Sequence, residues 1–425
     1  MIQKIKNWSF QLLKKSEKYT KTDMVYLAKG EFWLIGGQIL SSASTFFLAV
    51  SFANLLPKET YGTYKYILSI FGILTISTLR GLESPLSQSI AKNYEGDFLI
   101  ILKEKIKYGF FGALASFILG VYYYVNGNNI LSVCFFIVSV FVPFFEPLGI
   151  YHNYLLAKKK FRQSTIYKSS SQILTTLLMI VALFVIPNIF TVILVYFFSW
   201  SVLRIYFLIK TIKKFPPNKK KEPQAISYGR HSTAINVLAS FIGSIDALLL
   251  FHYFGAAELA IYSFALSPVN QFSSLFDKLP TLALPKLAVR TIYEIKQIFW
   301  RRVIFLSIIG AVISLVYIFL SPILFKIFFP EYLDSIFYSQ IFSLTIILTL
   351  AQSFISPVLN SRLTIIPKKM LYLWNIPGII FIFSAFLLIN YIGIMGIILS
   401  RLAATLTTTI IGLIIWNKIK KLEIK

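Results

Sequence analysis

The sequence predicts an all-α polytopic membrane protein of about twelve transmembrane helices, and three observations lead there: its apolar composition, the length of its apolar runs and the placement of its basic residues. The chain is 56% hydrophobic, has a mean hydropathy of +0.72 and is only 14% charged. A soluble domain of this size cannot keep such a surface in water. Apolar runs able to cross ~30 Å of hydrocarbon at ~1.5 Å per residue stand at 31–56, 64–91, 108–125, 130–156, 166–186, 189–209, 232–254, 259–285, 303–325, 335–358, 371–390 and 393–417.

The net charge of +25 would suggest nucleic acid if it lay on one soluble face. Lys and Arg instead crowd into the termini and every second connection, the inside-positive pattern that places both termini in the cytoplasm. Nucleic acid is thereby dropped as a partner. Residues 1–30 set Ile2, Ile5, Trp8, Leu12 and Leu13 among lysines, which predicts a basic amphipathic segment on the cytoplasmic surface. No apolar signal core with a small-residue cleavage site follows, so the amino terminus is expected to be retained.

A six-helix bundle is expected at 31–212, a basic cytoplasmic linker with paired prolines at 213–230, a second six-helix bundle at 231–417 and a cytoplasmic tail at 418–425. Residues 36–64 laid over 234–262 pair Gln38 with Asn236, Ser42 with Ser240, Ala49 with Ala247 and Tyr64 with Tyr262. This predicts a parallel, pseudo-twofold repeat, the plan of many rocking transporters.

Catalytic signals are sparse. There is no GxxxxGK[ST] loop. His152, His231 and His252 are scattered, and the lone cysteine, Cys134, excludes a disulfide framework or multi-cysteine metal site within the chain. No cofactor is expected. The short outer turns argue against a membrane polymerase, ligase or glycosyltransferase, and the 24 tyrosines and 40 phenylalanines fit packing and interfacial belts.

The informative residues are charges read within the spans, where each costs ~2.5–3.5 kcal/mol on insertion scales and faces a bundle interior or cavity. Arg80 and Glu83 stand three apart on the second helix and can pair on one face. Glu146 lies between Pro143 and Pro147, where the fourth helix is expected to bend. Arg204, near the cytoplasmic end of the sixth helix, can snorkel to the interface. Asp246 stands mid-helix among small residues as a lone carboxylate able to take a proton or bind a cation. Asp277 and Lys278 point to different sides of the eighth helix, and Arg401 lies too deep to snorkel.

The first helix running into FANLLPKETYGTY (52–64), the fourth leaving as YLLAKKKF (154–161) and the seventh followed by FGAAELAIYSFA (254–265) resemble bacterial polysaccharide flippases of the Wzx type. Their superfamily includes the MATE multidrug exporters and the lipid II flippases. The resemblance is diffuse but extends over most of the chain. It implies a MATE-like fold in the bacterial inner membrane, and transfer of an undecaprenyl-diphosphate-linked oligosaccharide to the outer leaflet for O-antigen, capsule or exopolysaccharide. Membrane lipids and polysaccharide assembly proteins would be its partners. Under that reading Arg80, Arg204, Lys278 and Arg401 face the anionic head group, while Asp246, Asp277, Glu83 and Glu146 pair with them or couple H⁺ or Na⁺. One departure stands out: the four basic and four acidic residues cancel, where an anion-selective cavity should be net positive. A small-molecule exporter of the same fold is the main alternative, followed by an assembly enzyme and a non-transporting scaffold.

Overall fold

The computed structural model describes residues 24–222, 225–276, 287, 290–362, 366, 370 and 372–422. The amphipathic segment, Asp277 and Lys278 therefore fall largely or wholly outside the described residues. In chain order the helices are α1 (Met24–Leu55), α2 (Lys58–Leu74), α3 (Glu83–Ala91), α4 (Asp97–Val125), α5 (Asn129–Leu148), α6 (Tyr151–Ala157), α7 (Phe161–Val185) and α8 (Ile189–Lys214). They continue with α9 (Ala225–Ile242), α10 (Ile245–Phe254), α11 (Ala256–Ser274), α12 (Ile292–Phe328), α13 (Ser335–Ser343), α14 (Thr345–Asn360) and α15 (Ile376–Leu422). No strand occurs among the described residues. Among the described residues, eight helices are long and apolar enough to cross a membrane, or nine when α2 and α3, bent by 56° at their junction, are taken as one span. The chain is a multi-pass membrane protein. Twelve spans is a finer count than these helices give, because α9, α10 and α11 are not among the helices long and apolar enough to cross and the 47 residues of α15 cover the last two expected spans.

The breaks have local causes. After α2 the hydroxyls of Thr75, Ser77 and Thr78 bond back to the carbonyls of Gly72, Leu74 and Thr75 at 2.7–2.8 Å, tightening the chain into 3₁₀ turns. Leu79 then takes φ +55°, and a second 3₁₀ turn, Arg80–Leu82, leads into α3. Gly81 meets α9 here: its amide donates to Thr233 Oγ1 at 3.0 Å, and a Cβ would lie 2.3 Å from the Thr233 amide nitrogen. Only glycine allows that approach. In α15 the break falls at Ile392–Gly393, where Gly393 has φ +55°.

Two compact units divide the chain. One comprises Gly37–Ser263 with Phe328–Tyr332; the other holds Phe264–Ile327, Leu333 onward and the start of α1. The amino-terminal unit buries Leu82, Leu86, Phe98, Ile101, Tyr154 and Phe207 in a common core, and Cys134 is fully buried within it. The carboxy-terminal unit packs Phe299, Ile355, Val358 and Ile415 around Trp416, whose ring stacks on Phe299 at 4.4 Å.

The stretch after α8, expected to be a linker, is docked as far as Glu222. The loop amides of Glu95 and Gly96 donate to Asn218 Oδ1 and the Lys220 carbonyl at 3.1 and 2.8 Å, and the Glu222 amide donates to Asp97 at 3.2 Å. Lys92 grips Glu222 at 2.7 Å. That ammonium holds the Glu222 carboxyl below the usual carboxylate range, with Ser89 adding a second donor, and the same bond raises Lys92.

Candidate functional site

The break between α2 and α3 decides how the charges pair. A continuous helix would hold Arg80 and Glu83 on one face. With Arg80 in the 3₁₀ turn and Glu83 opening α3, each reaches a different element instead. Arg80 Nη2 lies 3.3 Å from Glu146 Oε1 on α5. Glu83 Oε1 lies 3.4 Å from Lys105 Nζ on α4, and its Oε2 accepts from Asn153 Nδ2 on α6 at 2.9 Å. The Lys105 side chain has no solvent exposure, and a buried ammonium without a counter-charge would be strongly destabilising. Glu83 supplies that charge.

Glu146 sits one turn from where α5 stops. Pro147 has no N–H to give, and the Gly149 amide turns to the Glu146 carbonyl at 3.0 Å. The Phe145 carbonyl accepts instead from Arg204 Nη1. The Arg204 guanidinium lies over the Phe145 ring at 4.2 Å and the Trp200 ring at 4.8 Å. It is thus fixed inward by stacking and a hydrogen bond, not extended along its stem to the interface as expected. Likewise the expected bend near the two prolines is a stop at Leu148 with helix resuming at Tyr151.

Of these groups Glu83, Glu146, Asn153, Trp200 and Arg204 line a cavity of about 170 Å³, walled also by residues 149–152 and Lys168. His152 Nδ1 is 2.6 Å from the Ser164 hydroxyl beside it. Pockets for drug-sized ligands run to ~300–1,000 Å³. This one can take a head-group-sized anion with a few waters, but not a sugar chain. Its chemistry is amphoteric: guanidinium and ammonium donors next to two carboxylates.

Asp246 forms a second cluster in the same unit. The turn after Ile242 makes Asp246 the second residue of α10, where the helix dipole favours a carboxylate. It is buried, accepts from the Tyr262 hydroxyl and interacts with the Lys65 charge. The lone mid-helix carboxylate expected from sequence is therefore a partnered one at a helix start. Arg401 belongs to the carboxy-terminal unit, where its guanidinium lies 5.3 Å from the Phe381 ring centroid.

Sequence reasoning missed Lys105, Lys168, Lys65, Asn153 and Trp200. Lys105 was legible in part. The buried residues of α4 recur as Phe98, Ile101, Lys105, Gly109, Gly112, Ser116 and Gly120, a three-four spacing that places the lysine on the inward stripe.

Comparison with known proteins gives a family and a fold. The family described as Polysaccharide biosynthesis protein matches residues 27–285. No curated protein matches the chain by sequence. Among solved structures, the eukaryotic MATE transporter AtDTX14 aligns with a TM-score of 0.64 at 13% identity, covering 93% of this chain and 98% of its own. The lipid II flippase MurJ in an inward closed conformation aligns at 0.62 and 16%, covering 92% and 90%. A multidrug resistance MATE family transporter of the MOP superfamily, outward-facing, aligns at 0.57 and 13%, covering 92% and 96%. At these identities the likeness is one of fold.

Proposed function

The chain belongs to the polysaccharide biosynthesis protein family, and from that premise we propose that it is a flippase of the bacterial inner membrane, moving an undecaprenyl-diphosphate-linked oligosaccharide from the cytoplasmic to the outer leaflet for surface polysaccharide synthesis. The family match carries this reading, and the fold shared with MurJ supports it. The work is transport by alternating access, with no hydrolytic or transfer step, and both termini lie in the cytoplasm.

The chemistry of the amino-terminal cavity fits the charged end of such a substrate. A diphosphate presents several anionic oxygens, and Arg204 already offers a planar donor set fixed by Phe145 and Trp200. Arg80 is held by Glu146. An entering diphosphate competes with that carboxylate for the guanidinium, and uptake of H⁺ or Na⁺ at Glu146 would favour the exchange. The bound anion can drive rocking only by binding the two states differently. The sugar chain lies beyond this cavity, and the polyprenyl tail stays in lipid. Lys278 and Arg401 are further candidate cations for the head group, and Asp246 and Asp277 are further candidate coupling acids. Polysaccharide assembly proteins would take the product.

The test is the leaflet of lipid-linked intermediates. In cells lacking the protein, impermeant labelling should find polyprenyl-diphosphate oligosaccharide accumulating on the cytoplasmic side, relieved by the intact gene. An unchanged profile sinks the reading. It would advance the small-molecule exporter, which the small and charge-balanced cavity favours.

A further inference from the structure

The lysine-rich end of α8 carries a feature that the cavity does not use. Tyr206, Ile209, Lys210, Lys213 and Lys214 line a groove of about 420 Å³, and their spacing of three and four sets them on one helix face. Tyr206 and Ile209 are 55% and 48% exposed, giving the groove an apolar floor. The Lys210 ammonium lies 5.5 Å from the Tyr167 ring centroid and 5.4 Å from that of Tyr206, while Lys214 lies 5.8 Å from Phe215.

The charges here are uncompensated. Lys92, Lys105, Lys158 and Arg230 each hold a carboxylate. Among the described residues, Lys210, Lys213 and Lys214 hold none. Like charges three and four apart on a helix repel, and the helix end offers only about half a negative charge against three positive ones. An anion is needed. Helix α8 is long and apolar enough to cross a membrane, and a helix so placed would set the groove at the edge of the hydrocarbon, with Tyr206 and Ile209 toward acyl chains and the ammonium groups toward head groups.

We propose that this groove binds an anionic glycerophospholipid, with its phosphate among Lys210, Lys213 and Lys214 and an acyl chain along Tyr206 and Ile209. The assignment is independent of what the protein transports. Two other occupants share part of the chemistry, free phosphate and a polyprenyl phosphate, and the experiment separates them.

The full chain, purified in neutral detergent, is titrated with phosphatidylglycerol or phosphatidylcholine, and retained lipid is read by native mass spectrometry. Phosphatidylglycerol should be retained at lower concentration than phosphatidylcholine. The Lys210→Gln/Lys213→Gln/Lys214→Gln variant should lose roughly five-fold in affinity per lysine removed. A control, Lys103→Gln/Lys107→Gln/Lys219→Gln, should retain the lipid like the parent, and matching thermal unfolding of all three proteins shows that each is folded. Equal retention by the groove variant overturns the proposal, and so does equal loss in the control, which would mean diffuse positive charge. Displacement by millimolar inorganic phosphate would make it a free-anion site. Displacement by undecaprenyl phosphate at lower concentration than phosphatidylglycerol would reassign it to an isoprenoid lipid.

Discussion

In the amino-terminal unit the interior carries several ionic contacts beside its neutral ones: Arg80 with Glu146, Lys105 with Glu83, Asp246 near Lys65. In the carboxy-terminal unit the polar contacts run largely between neutral groups. Ser314 meets Ser343 at 2.9 Å, Tyr317 meets Ser339, Gln340 donates to the Ile318 carbonyl and to Ser321, and Gln352 donates to Thr409 at 2.8 Å. Neutral pairs hold helices together in lipid at little expense. Buried ions are costly and add little net stability over an apolar core. The contrast teaches that the ionic interior stands or falls by its pairing.

Breaking one partner should have the largest effect. Glu83→Gln leaves the fully buried Lys105 facing a neutral amide, and unfolding in detergent should show a loss of about 3–5 kcal/mol. Lys105→Met should cost less, because Glu83 is 43% exposed on its own side. The double variant should recover most of the loss; additive losses would contradict the pairing. A sterically sharper version sets Gly81→Ala against Gly36→Ala. At Gly81 a Cβ strikes α9 backbone, so a loss of about 1–3 kcal/mol is expected. At Gly36 no atom lies within 4 Å, and alanine should be neutral or stabilising by up to ~1 kcal/mol.

Arg204→Lys keeps the charge but loses the planar stack on Phe145 and Trp200. A loss of roughly 0.5–2 kcal/mol is expected, together with reduced polysaccharide export. Normal export in this variant would remove Arg204 from the site. In the other unit Gln352→Leu should change stability by about 1 kcal/mol or less and leave export intact. The smallest effect concerns the docked segment. Glu222 has a depressed carboxyl in the folded protein, so its contribution is present above the unfolded value of about 4.3 and is lost as pH falls through the folded one. Protection of the Gly96 and Glu222 amides from hydrogen exchange, taken relative to the intrinsic rate at each pH, should therefore be high at neutral pH and fall below about pH 4.

The class of fold was legible because hydrocarbon leaves few choices: long apolar runs and inside-positive loops admit helices and little else. The breaks were not. Thr75, Ser77 and Thr78 read as ordinary members of an apolar span, and only their hydroxyls bonding backward reveal the turn. Missing that turn led to the wrong partner for Arg80, since a three-residue spacing implies contact only on an unbroken helix. Glu83, Glu146 and Arg204 were legible as charges within the spans, and the structure gathers them on one cavity, though Arg204 turns inward where its position near the helix end suggested snorkelling. Lys105 was passed over because the third span was started after it, three turns into a helix that begins at Asp97. Which carboxylate meets which cation depends on how α3, α4, α5 and α6 pack, and no local spacing encodes that.

Cys134 has a practical consequence. It is the chain's single thiol, and its side chain is closed off inside the amino-terminal unit. Maleimides need an accessible thiolate, so the unaltered protein should be silent to them while folded. Cysteines introduced one at a time into the loops or around the α8 groove can then be tagged from either face of intact cells without first removing the native one. Sidedness and groove occupancy both become readable in the parent background.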